Sequence, residues 1–90
     1  MSVSKIFVKN YSSEEIDCFV SQYSRSEGSD SWFPLDPQQG DAWARKSGGW
    51  ELVAFRRRDS GENAPRAGKY VAVGRGRIVQ FYGFEDIRVD

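Results

Sequence analysis

The stretch GDAWARKSGGWEL, residues 40–52, decides how the chain is read. In a strand successive side chains point to opposite faces, so Asp41, Trp43 and Arg45 would share one face and Ala42 and Ala44 the other. With the small apolar pair turned inward, Trp43 is expected to face outward between an acid and a base. The turn KSGG follows, and Trp50 opens the next segment, WELVAFRR. Its apolar density predicts a central strand over 50–57.

Working outward, short runs rich in Val, Ile, Phe, Tyr and Trp alternate with clusters of Gly, Ser, Asp and Pro, the pattern of an all-β domain. KIFVKN (5–10) predicts a first strand, and the polar turn YSSE leads to EIDCFVSQYS (15–24), with which it is expected to form a hairpin. In that second strand Ile16, Cys18 and Val20 share an apolar face, while Asp17, Phe19, Ser21 and Tyr23 share a mixed one. SSEEI also resembles a helix-capping box, which leaves a helix at Ser12 to Val20 as the local alternative. SWFPL (31–35), the turn DPQQG and DAWARK predict a second hairpin. After the polar segment 58–68, KYVAVG (69–74) and RIVQFYG (77–83) are expected to pair through Gly74-Arg75-Gly76, and DIRVD ends the chain. The expectation is a single domain over 1–90, an antiparallel β-sandwich or small barrel of about seven or eight short strands.

Composition narrows the function. The chain has 90 residues, 13 basic and 13 acidic, with zero formal charge, so there is no global attraction for nucleic acid, and nucleic-acid binding is disfavoured. No histidine is present, which excludes His-based triads and His ligand sets. Cys18 is the only cysteine and lies within an apolar alternation, the pattern of a buried thiol. GRGRIV lacks the GK[ST] and following helix of a phosphate loop. The expectation is a non-enzymatic protein with no catalytic residues, metal or cofactor. An N-terminus that turns polar within ten residues and a lone cysteine predict a cytoplasmic location.

Aromatic richness supplies the positive signal: 3 Trp, 4 Tyr and 6 Phe. A hairpin joining 31–35 to 41–46 would present Asp30, Trp32, Pro34, Asp41, Trp43 and Arg45 on one outward face, and Trp50 is added to the candidate ligand-binding set. Flat rings edged by donors and acceptors suit a glycan, because a pyranose stacks its C–H face on an aromatic ring and needs both hydrogen-bonding roles for its hydroxyls. The competing reading puts the tryptophans in the core or at a dimer seam. Arg56, Arg57 and Arg58, with Arg66 and Tyr70, form a second candidate surface for phosphate and bases, offset by neighbouring acids. Asn63 and Arg66 could add to a site from the loop at 58–68.

IFVKNYSSEEIDCFVS and WFPLDPQQGDAWARKSGGWELVAF resemble, over about half the chain, the small cytoplasmic β-sandwich proteins of fungi, a group that includes fruiting-body lectins and aegerolysin-type lipid-binding proteins. The resemblance implies a soluble β protein that binds glycans or membrane lipids. The chain is shorter than typical aegerolysins, so no binding residue is carried across. Together these readings predict a lectin, paired as a homodimer for avidity, with lipid-surface binding or a ligand-free homo-oligomeric interaction protein as the alternatives.

Overall fold

A computed structural model describes residues 3–22, 32–58, 66–74 and 77–90. The fold is all-β, with eight strands among the described residues: β1 (Val3–Asn10), β2 (Ile16–Val20), β3 (Phe33–Leu35), β4 (Gly40–Lys46), β5 (Trp50–Arg57), β6 (Arg66–Ala72), β7 (Arg77–Gly83) and β8 (Asp86–Val89). They form two four-stranded sheets, β4-β1-β7-β8 and β3-β2-β5-β6. No barrel closes. All pairings are antiparallel except β1 with β7, which run parallel, so the expected purely antiparallel arrangement is corrected at that pair.

The strand positions agree with the pattern in the sequence except at β6, which begins at Arg66 within the segment expected to be loop and ends at Ala72, and β5 is central in its sheet. The segment Ile16–Val20 is strand, not helix, because β-branched and aromatic residues there pack better on a pleated surface. The expected pairings are another matter. β1 does not pair with β2, β3 does not pair with β4, and β6 does not pair with β7; each of these connections carries the chain from one sheet to the other.

Local chemistry shows how these turns change layer. Asn10 is buried, and its Oδ1 accepts from the Ser12 amide and hydroxyl while its Nδ2 donates to the carbonyls of Glu14 and Leu35. That side chain stands in for backbone partners, turning the chain off β1 and tying it to the other sheet. At DPQQ the Gln39 amide closes a turn on the Asp36 carbonyl at 2.9 Å, with Pro37 ahead of Gln38 at φ 68°. Pro followed by a left-handed residue is the type II pattern. Gln38 is held there because its amide donates to Asn10 and its side chain to the Tyr11 carbonyl.

Inward-facing residues of both sheets form one core. Ile6, Val8, Trp43, Val79, Phe81 and Ile87 come from the first sheet, and Ile16, Cys18, Val20, Leu35, Val53, Phe55 and Val71 from the second. Phe55 and Phe81 meet between the layers with ring centroids 4.7 Å apart. Burying each side chain of this size contributes roughly 1.5–3 kcal/mol, so the contact between sheets is the principal stabilising element.

Candidate binding face

The tryptophan-bearing stretch does not present the face expected of it. Trp43 is only 5% exposed and Arg45 only 1%, so Trp43 and Arg45 point inward along β4, while Asp41 at the strand's start remains exposed and the two alanines face outward. The alternation has the expected period and, at Trp43 and Arg45, the opposite phase. Trp43 fills the core edge-on to Phe33, with centroids 5.9 Å apart. Arg45 is satisfied inside: Nε donates to the Ser21 carbonyl at 2.7 Å, Nη2 to the Val20 carbonyl and Nη1 to the Ala44 carbonyl. Glu51, fully buried on β5, lies 3.9 Å from the Arg45 Nε and accepts the Ser21 hydroxyl. A buried ion pair with these partners tolerates the interior, which an unpaired arginine would not.

The other proposed site residues divide. Asp41 is exposed at the end of β4, where its Oδ1 accepts the Ala42 amide at 2.8 Å. Trp32 is half-buried against Phe19, and Trp50 is 60% exposed. Asp30 and Asn63 lie outside the described residues. Trp32 and Trp50 belong to the second sheet's side of the molecule, whereas Trp43 and Arg45 belong to the first sheet and face its interior.

What the structure does assemble is the outer face of β3-β2-β5-β6. Because Glu51, Val53 and Phe55 are buried, Trp50, Leu52, Ala54 and Arg56 face out. Opposite them on β6 stand Ala72, Tyr70, Gly68 and Arg66. Tyr70 is 65% exposed and pairs with Leu52, one step from Trp50. The next row is low, since Ala54 faces Gly68, with Phe19 beside Ala54 on β2. The third row is charged: Asp17, Arg56 and Arg66 lie side by side. Arg56 Nε donates to Asp17 at 3.0 Å, and its guanidinium stacks 4.4 Å from the Trp32 ring centroid, with Arg66 at 5.8 Å. A shelf of small residues thus runs to the β6 edge between an aromatic wall and a cationic one.

Gly68 is required by this packing. A Cβ there would lie 2.9 Å from the Val53 carbonyl oxygen and 3.3 Å from both the Ala54 Cα and the Leu52 Cδ1. The signal for this face was present in WELVAFRR and RAGKYVA. The inward phase of β5 includes Glu51, a charged residue whose burial depends on partners distant in sequence.

The arginine run 56–58 is offset by acids. Arg57 pairs with Glu14 at 2.8 Å, and Arg58 reaches Glu15 at 3.0 Å and Asp36 at 2.8 Å. The hydrogen bond with Asp36 leads the causes that raise the Arg58 pKa. Cys18 is buried, and desolvation, followed by the charge of Asp41, pushes its thiol pKa well above the ordinary value. Among the described residues no cluster of His, Cys, Asp or Glu could hold a metal, and no helix is long and apolar enough to cross a membrane.

The first sheet has an outer face of different character. Phe7 is 44% exposed between Ala42 and Ile78, above a shallow groove of about 470 Å³ that extends to Lys9 and Tyr11. Tyr11 stacks on Tyr82 at 5.1 Å, flanked by Lys9 over one ring and Arg88 over the other. Comparison of the chain with family models, with curated proteins and with solved structures finds no match.

Proposed function

We propose that the chain is a non-enzymatic, glycan-binding β-sandwich protein whose site is the outer face of β3-β2-β5-β6. The observation that carries this reading is the exposure of Trp50 and Tyr70, 60% and 65%, on adjacent strands of one face. The fold does not use these rings for its core, and large side chains left uncovered together are characteristic of interaction surfaces. Their faces accept the C–H side of a pyranose, while Arg66 and the Asp17–Arg56 pair supply donors and an acceptor for hydroxyls across the shelf. The glycan site therefore includes Trp50 and Trp32 but not Trp43 or Arg45.

The test is a glycan array with the tagged chain, followed by intrinsic-fluorescence titration of any hit with the parent, Trp50→Ala and Tyr70→Ala. Loss of binding in both variants, with Trp43 emission unchanged, supports the assignment. Unchanged affinity in both, or no hit from a folded sample, sinks it.

A second reading rests on the first sheet. Phe7 stands exposed on a face that also carries Lys5 and Lys9, a combination suited to an anionic lipid surface. Co-sedimentation with phosphatidylserine vesicles that is lost in Phe7→Asp would favour it; equal binding to neutral vesicles would not.

A further inference from the structure

We propose that two copies of the chain pair antiparallel along the outer edge of β6, with Gly68 opposite the partner's Gly68, and that the joined shelves form one groove for an extended oligosaccharide. The groove half rests on the glycan reading above; the pairing half does not.

The argument begins with the four sheet edges, since an unpaired strand is a template for another and proteins blunt the ones they do not use. β3 has three residues including Pro34, and β8 has four. On β4 the Asp41 carboxylate occupies the Ala42 amide and the Arg45 guanidinium the Ala44 carbonyl. β6 is seven residues long, and among the described residues no strand pairs with its outer side. Along it, Val73 bonds back to Gly48 and Gly49, and Arg77 Nε reaches the outward carbonyl of Ala72 at 3.2 Å. The antiparallel alternation then turns the amide and carbonyl groups of Arg66, Gly68 and Tyr70 outward, where a second strand can meet them.

Charge selects the register. Centring the two-fold axis on Lys69 would set that ammonium against the partner's Lys69, and centring it on Tyr70 would demand the Ala72 carbonyl that Arg77 already holds. Centring it on Gly68 places Arg66 against the partner's Tyr70, twice, as cation–π pairs, and Lys69 against the partner's Ala67. In this register the low Ala54–Gly68 row continues into the partner's Gly68, so a shelf open at one end becomes a groove with no gap at the seam. The ligand it fits is a chain of sugar units lying across the two-fold axis.

Two experiments separate the two halves. Singly substituted Ala67→Cys and Lys69→Cys chains are mixed and oxidised, beside sedimentation equilibrium of the parent. A concentration-dependent dimer, with disulfide forming between the two variants and not within either alone, is the expected result, because only that combination brings the two Cβ atoms within bonding range. A monomer throughout, or a Lys69→Cys chain that cross-links to itself, overturns the pairing. The cross-linked dimer is then titrated with chito-oligosaccharides of increasing length and with the best array hit. Affinity rising on the order of tenfold or more with length supports the groove. Binding that saturates at a single terminal sugar in a confirmed dimer overturns the groove and leaves the pairing intact, and absence of all glycan binding removes the reading on which the groove rests.

Discussion

Arg45 and Ser21 join the two sheets from within: the guanidinium Nε donates to the Ser21 carbonyl at 2.7 Å, and the Ser21 hydroxyl donates to Glu51 while accepting the Leu52 amide. A cation from β4 is thereby held among acceptors of β2 and β5. Its removal leaves Glu51 without its buried counter-charge. Arg45→Met is expected to cost about 3–5 kcal/mol in urea unfolding, and Arg45→Met with Glu51→Leu less than the single change, because the double removes both desolvated charges. A double variant as unstable as the sum of the singles would refute the coupling.

Gly68 has no room for a methyl group. Gly68→Ala should lower stability by about 1–3 kcal/mol as the Val53 carbonyl and Leu52 are forced to move. Gly83, where an added Cβ meets nothing within 4 Å, provides the control, and Gly83→Ala should stay within about 0.5 kcal/mol of the parent in the same unfolding experiment.

The three tryptophans should separate in a quenching experiment. Trp50 is exposed, Trp32 is half-buried beneath Arg56, and Trp43 is enclosed. Acrylamide should therefore quench a red-shifted component that disappears in Trp50→Phe, whereas Trp43→Phe should remove the most protected component. Equal accessibility of Trp43 and Trp50 in the folded chain would contradict their placement on opposite sides of the sheets.

Burial raises the pKa of the Cys18 thiol, so the folded chain holds this proton when an unfolded thiol, with a pKa near 8.5, would release it. The unfolded state then binds fewer protons than the native one, and stability falls as pH rises above that value. The slope approaches about 1.4 kcal/mol per pH unit and should be absent in Cys18→Ala. Native Cys18 should also resist a thiol reagent at pH 8 and react once the chain is unfolded.

The strand pattern was legible in the sequence because strand formation follows from local composition. Alternation placed Ile16, Cys18 and Val20 on one buried face, and the apolar density of 50–57 marked the central strand. Pairing was not legible. YSSE, DPQQG and the glycines near 75 are turn-formers in a hairpin and in a crossing between layers alike, and the Asn10 side chain that redirects β1 bonds to Leu35, far along the chain.

The phase of β4 failed for a related reason. Two alanines look like core residues beside a charged pair until a counter-charge exists inside, and Glu51 supplies one only after β4 and β5 are set in opposite sheets. The sequence by itself therefore determined that this is an all-β chain, where its strands lie and which residue types its chemistry lacks, since these depend on side-chain preference and inventory. Which strands are neighbours, that Trp43 and Arg45 lie inside, and that Trp50 and Tyr70 stand together outside were decided by the tertiary structure alone, because each depends on burial and on partners distant in sequence.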